Sequence, residues 1–156
     1  MNIFFLDEDP RKCAICHFDK HCVKMCLEYC QILCSVNHLN GQNNVPYKAT
    51  HLNHPAIIWC NSSLDNYKWL LSLAKCLFEE YTHRYGRTHA SESKAFYWCS
   101  LNLPNIPSTG ITTRPLIMDK EFIIGMDPIE SYRNLYIKGK RHLANWKNRN
   151  PPEWWK

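Results

Sequence analysis

A chain of 156 residues is long enough for one ordinary domain and short for two with separate cores. Its 45% hydrophobic, 13% aromatic and 21% charged residues exclude a disordered chain. The net charge of +5 is concentrated: residues 131–156 hold seven basic side chains against the single acid Glu153, so this segment carries +6 and the remainder −1. No run approaches the roughly 18 uninterrupted apolar residues of a membrane-spanning helix. The acidic start, Met1 to Asp9, lacks the basic n-region of a secretion signal. Neither insertion into a membrane nor secretion is expected. Nine cysteines are an odd number, and Cys16, Cys22, Cys26, Cys30 and Cys34 fall in one helical stretch, a poor disulfide framework. We expect a reducing, cytoplasmic compartment, with most thiols packed as small hydrophobes.

The elements follow in order. Ile3 to Leu6 has a strand-like look. Asp9-Pro10 is a helix start, since aspartate caps the first free amides and proline at the first helical position has no amide to leave unpaired. The pattern predicts a helix from Pro10 to about Ser35. Pro55 to Cys60 is a short apolar run of one or two helical turns beginning near His54. After Ser62-Ser63, the apolar positions Leu64, Tyr67, Leu70, Leu71, Ala74, Leu77, Phe78 and Tyr81 predict a core helix that stops at Gly86. A further helix covers Ala90 to Leu101. Asn102 to Met126, with three prolines and two glycines, reads as an irregular excursion, with weak alternation at Phe122 to Ile124. Asp127-Pro128 opens a last helix to about His142. The fold class is all-α, a single helical domain over residues 1–156 with a basic aromatic C-terminal segment at 131–156.

On the first predicted helix His17, His21, Lys24, Glu28 and Gln31 fall within roughly 80° of one another at 100° per residue. Nearly everything outside that line is apolar, Asp19 and Lys20 excepted, so the helix is expected to be buried on most sides. Isolated buried charges are too costly to keep. The line therefore faces a cleft, where imidazole, amine and carboxylate together suit acid–base catalysis, or it is a narrow solvated stripe with an ordinary Lys24–Glu28 pair. His54 is either a core-edge histidine or a second wall of the same pocket. Cys13-x-x-Cys16 with His17 and His21 has the spacing of a zinc site, but no second paired element completes it, and neither metal nor cofactor is expected. The tail combines Arg133, Lys138 and Lys140 with Tyr132, Tyr136 and Trp154. Charge and flat rings together suit nucleic acid, while a solvated helix with its aromatics folded onto the core is the alternative.

Asp19-Lys20-His21, Glu28 seven residues beyond that histidine, Asn53-His54-Pro55, and Tyr81-Thr82-His83-Arg84-Tyr85-Gly86 occur in the order found in pyrimidine-dimer DNA glycosylases of the phage endonuclease V type. The segment Tyr132 to Lys140 and the Trp-Lys-Asn-Arg and Pro-Glu-Trp ends add to the likeness, so most of the chain resembles that family, and the small phage-encoded members in particular. The resemblance implies a compact all-α monomer that bends double-stranded DNA carrying a lesion or modified base, removes a pyrimidine and cuts the abasic strand. It implies that an α-amino group attacks the sugar C1′ and that Glu28 acts on the sugar during imine formation and scission. It also implies that His21 orients phosphate or sugar, that His54 lines the far side of the pocket, and that the basic tail holds the bent backbone. An α-amine, with a reference pKa of about 8, suits this chemistry without deep burial. The type enzyme exposes a threonine, whereas Asn2 is bulky enough here to predict retention of Met1. The expected nucleophile is then the amine of Met1 or a lysine such as Lys24. The alternative function is a non-catalytic nucleic-acid or nucleotide binding protein on the same fold.

Overall fold

The computed structural model describes all 156 residues and contains helices and irregular segments but no strand. We number the helices α1 (Pro10–Cys16), α2 (Asp19–Leu39), α3 (Pro55–Asn61), α4 (Leu64–Tyr85), α5 (Tyr97–Leu101) and α6 (Pro128–Asn134). A π-helical turn, Glu92–Phe96, leads into α5, and another, Leu135–Gly139, continues α6. Four of the starts are the ones that the sequence signals. Asp9 accepts from the amides of Arg11 and Lys12, Asp127 from Ile129, Ser63 from Asp65 and His54 from Ala56. Gly86 closes α4 at φ +67, a left-handed cap that glycine adopts without a Cβ penalty.

The predicted helix from Pro10 to Ser35 is two helices, broken at His17–Phe18, and the second runs on to Leu39. No glycine or proline marks the break; tertiary contacts impose it. In a continuous helix the Ile15 carbonyl would accept from the Asp19 amide. Here the Asp19 amide donates to the Asn145 carbonyl (2.9 Å), and the buried Arg84 guanidinium donates to the carbonyls of Ile15 (3.0 Å) and His17 (2.8 Å). Arg84 also pairs with Asp19 (2.9 Å) and Glu80 (2.8 Å), and Glu80 in turn with Arg149 (2.9 Å). The Asp-Lys-His, His-Arg-Tyr-Gly and Trp-Lys-Asn-Arg segments therefore meet in one buried ionic cluster that fastens the C-terminal tail to α1, α2 and α4.

Two other expectations are corrected. The helix from Asp127 loses α-geometry after Asn134 and passes through the π turn and a 3-10 turn, Arg141–Leu143, instead of running to His142. Neither Ile3–Leu6 nor Phe122–Ile124 is a strand. Phe122 ends a 3-10 turn, while Ile3–Leu6 is an extended, buried segment threaded beside α2. The irregular excursion 102–126 is fastened to the start of α4. The Leu64 amide donates to the Pro107 carbonyl, the Ser108 hydroxyl and Gly110 amide donate to Asp65, and the Thr112 amide donates to Asn66. Helix α2 sits at the centre, packed on α3, α4, α5 and the first π turn. No helix is long and apolar enough to cross a membrane.

Candidate active site

A buried extended segment with no sheet partner must pair its backbone groups in another way. Side chains of α1, α2 and α6 do this for residues 2–6. The Phe4 amide donates to the Tyr29 hydroxyl (3.2 Å), the Cys13 thiol donates to the Phe4 carbonyl (3.1 Å), and the Leu6 amide donates to Cys13 Sγ (3.3 Å). Arg133 Nε donates to the Leu6 carbonyl (2.8 Å), and Asn2 Nδ2 donates to the Ile117 carbonyl (2.8 Å). Burial pushes the Cys13 thiol up to about 12, so it keeps the proton with which it donates.

His17 completes the clamp, and its tautomer follows from its partners. Nδ1 lies 2.7 Å from the Cys13 carbonyl, which only accepts, so Nδ1 carries the proton. Nε2, 2.7 Å from the Tyr29 hydroxyl, then accepts from it, and the Tyr29 oxygen remains free to accept from Phe4. His17 is wholly enclosed, and burial lowers it to about 4. It does not share the polar line with His21, because the break in the helix turns it inward.

Clamped in this way, the segment delivers Met1 to a hollow of about 200 Å3 lined by Met1, Asn2, Phe4, His21, Lys24, Met25, Glu28 and Lys140. Met1 and the two lysines Lys24 and Lys140 share the hollow with one carboxylate, Glu28. Lys24 Nζ lies 3.4 Å from Glu28, whose side chain is 15% exposed against 67% for the lysine. His54 does not line the hollow but lies within its field. Burial, then the N-terminal ammonium and His51, lower its pKa, while Glu28 opposes them. Because His54 Nδ1 accepts from the Ala56 amide, its neutral form carries the proton on Nε2.

His21 stacks on Phe4 (centroids 4.2 Å apart, planes at 8°), and its Nδ1 lies 2.5 Å from the Tyr136 hydroxyl. Burial, with His17, Lys140 and Lys24 adding, lowers His21 to about 3, so the ring is neutral. Burial also pushes Tyr136 well above its ordinary value, so it keeps its proton and donates it to His21 Nδ1. His21 then carries its own proton on Nε2 and acts as a neutral donor, not as a cation for phosphate.

Of the residues predicted from sequence, Met1, His21, Lys24 and Glu28 meet in this hollow, and Lys140, predicted as a DNA contact, joins them. Tyr132 and Tyr136 correct the stacking expectation: both are fully enclosed, and the Tyr132 hydroxyl donates to the Pro115 carbonyl (2.7 Å). Arg133 pairs with Asp7 (3.1 Å) and lies over Trp154, on the wall of a larger hollow of about 540 Å3 that none of the predicted catalytic residues lines. Lys138 is exposed. The zinc alternative is not supported by ligand geometry. Cys13 and His17 are committed to the N-terminal clamp, His21 to Tyr136, and no three His, Cys, Asp or Glu side chains converge. Sequence reasoning missed the positioning group Cys13, Tyr29 and His17. A lone apolar stretch ahead of a capped helix, with no second strand to pair it, was the available signal.

Searches of curated proteins and of solved structures returned no match. Residues 1–93 match the family model described as pyrimidine dimer DNA glycosylase. The matched stretch holds Met1, His21, Lys24, Glu28, His54 and Arg84 and ends before Lys140 and the basic tail. With more than half of its length matched, the chain belongs to the pyrimidine dimer DNA glycosylase family.

Proposed function

We propose that this glycosylase couples base removal to cleavage of the abasic strand, with the α-amine of Met1 as nucleophile. One observation carries the reading: Met1, Lys24, Glu28, His21 and Lys140 line the same hollow. The amine lone pair attacks C1′, and the glycosidic bond breaks with its electron pair leaving on the base, which takes up a proton. Opening of the sugar ring gives an iminium at C1′. The iminium acidifies the C2′ proton; its removal expels the 3′ phosphate, and water then hydrolyses the imine and returns the amine.

Each residue has a part set by its charge. Glu28 places one negative charge where the iminium forms and serves the proton transfers on the sugar. Lys24 holds Glu28 in position and, with Lys140, offers positive charge to the flanking phosphates. His21, neutral and protonated on Nε2, donates to a sugar or phosphate oxygen, and His54 lies on the α3 side. The basic tail holds the duplex through its exposed cations, Lys138 among them.

The test is borohydride trapping on a duplex with one abasic site, followed by peptide mapping. A covalent adduct on the Met1 nitrogen is expected, and Glu28→Gln abolishes strand cleavage. An adduct on Lys24 moves the nucleophile; no adduct on abasic or dimer-containing DNA removes the lyase step.

A further inference from the structure

Helix α2 is enclosed along most of its circumference, but one ridge reaches solvent: Lys20, Val23, Lys24 and Leu27, at i, i+3, i+4 and i+7. Val23 and Leu27 are 40% and 39% exposed, although the sequence pattern counted them among the buried apolar positions. Neither lines the hollow, but Lys24, on the same ridge and three residues before Leu27, does, so the apolar pair stands on the ridge that borders it. On one side of the ridge stand the amines of the hollow. On the other stands His89, beside the Val23 backbone, its pKa lowered by burial so that the ring is neutral. An apolar ridge thus runs beside a cationic edge, an arrangement suited to stacked bases next to a phosphate strand.

The size of the hollow decides what meets the ridge. At about 200 Å3 it falls below the roughly 300–1,000 Å3 that enclose ordinary small ligands. A deoxyribose enters; a pair of linked pyrimidines with it does not. With C1′ in reach of the amine, the bases at the lesion stay outside, against Val23 and Leu27. Apolar side chains that meet an opened base step fill the space left in the stack and hold the kink. We propose that Leu27, supported by Val23, is a specificity-determining wedge that enters the base stack at the lesion, an inference that rests on the sugar being processed in the hollow of Glu28.

The test compares wild type, Leu27→Ala, Leu27→Met and the double variant Val23→Ala/Leu27→Ala. Single-turnover base release is measured on a duplex carrying one thymine dimer, and borohydride trapping on a single-stranded abasic oligonucleotide. Fluorescence of 2-aminopurine placed beside the dimer reports opening of the stack. The expected result is a loss of about tenfold or more in base release from the duplex for Leu27→Ala, larger for the double variant. Recovery in Leu27→Met is expected, with single-strand trapping within about twofold of wild type and a smaller 2-aminopurine signal. Duplex rates within about twofold of wild type, or an equal fall on duplex and single strand, overturn the wedge. If wild type fails to trap at all, the imine reading fails, and the 2-aminopurine comparison still decides the wedge: equal signals from wild type and Leu27→Ala overturn it.

Discussion

Asp19 and Glu28 stand nine residues apart on α2 and live in opposite circumstances. Asp19 receives Arg84 at 2.9 Å, the Asn145 amide at 2.6 Å and the Lys147 backbone amide at 2.9 Å, so both of its oxygens are occupied by groups that hold three parts of the chain together. Glu28 has one lysine at 3.4 Å, shares a hollow with Met1 and Lys140, and opens to solvent on one side. A carboxylate whose acceptor sites are all filled is a fastening. One left with room beside an excess of amines is available to chemistry. The start and the middle of a single helix thus divide stability from reactivity.

The largest effect that breaks this division falls on Glu28. Glu28→Gln is expected to lower turnover by about 10²- to 10⁴-fold, the usual reach of a general acid or base, while the urea midpoint stays at the wild-type value. A matching loss of stability would make Glu28 a second fastening. Next comes Arg84→Met, which leaves the enclosed Asp19 without its cation and Glu80 with Arg149 alone. Equilibrium unfolding is expected to show a loss of about 3–5 kcal/mol, since removing one partner of a buried ion pair strands the other. A variant of Arg84 with unaltered stability would overturn the structural role of the cluster.

The same contrast explains which parts of the molecule were legible in the sequence. Caps are local chemistry, so Asp9-Pro10, Ser63, Gly86 and Asp127-Pro128 located their helix ends. The i, i+4 relation of Lys24 to Glu28 and the placing of His21 on the same face are also local. The break at His17–Phe18 was not legible, because Arg84 and Asn145, far along the chain, supply the groups that displace the helical bonds. Tyr132 and Tyr136 read equally well as stacking surface or as core. Their enclosure depends on the N-terminal segment and on Phe18, whose ring lies 4.1 Å from that of Tyr136. Val23 and Leu27 repeat an apolar pattern that marks burial elsewhere on α2, and nothing next to them in sequence says that no element covers them.

Acid pH separates the buried imidazoles from the buried carboxylate Glu80. His17 and His21, held down to about 4 and about 3, stay unprotonated in the fold while the unfolded chain takes up protons below about 6.5. Their contribution is complete above that pH and declines as pH falls toward the folded values, by about 1.4 kcal/mol per unit for each. Burial would raise Glu80, but Arg149 and Arg84 overcome it and hold it below its ordinary value, so its contribution persists until pH falls through that lowered range. Urea midpoints between pH 7 and 5 are therefore expected to decline through the histidines alone, less steeply in His21→Asn. An equal slope in wild type and variant would contradict the neutral state of His21.

Cys13→Val sharpens the comparison from the N-terminal side. It leaves the Phe4 carbonyl and the Leu6 amide buried without partners, a loss of about 1–3 kcal/mol, whereas Cys13→Ser retains a donor and an acceptor. Trapping should fall with Cys13→Val and recover with Cys13→Ser, because the clamp sets where Met1 stands. Trapping by Cys13→Val at the wild-type rate would show that Met1 reaches the hollow without the clamp.

The smallest effect distinguishes cations of the tail that hold the fold from cations that are free for DNA. Arg133 is bound to the Leu6 carbonyl and Asp7, and Arg149 to Glu80, whereas Lys138 is exposed. Each phosphate contact releases condensed counterions, so losing one reduces the slope of log binding constant against log salt by about 0.9. Lys138→Ala is expected to show that reduction on undamaged and dimer-containing duplex alike, with unchanged stability, because a phosphate contact carries no lesion information. Arg133→Ala is expected to lower stability first, through the Leu6 carbonyl left without its donor. A full salt slope in Lys138→Ala would move the duplex off the tail and onto the cations around the hollow.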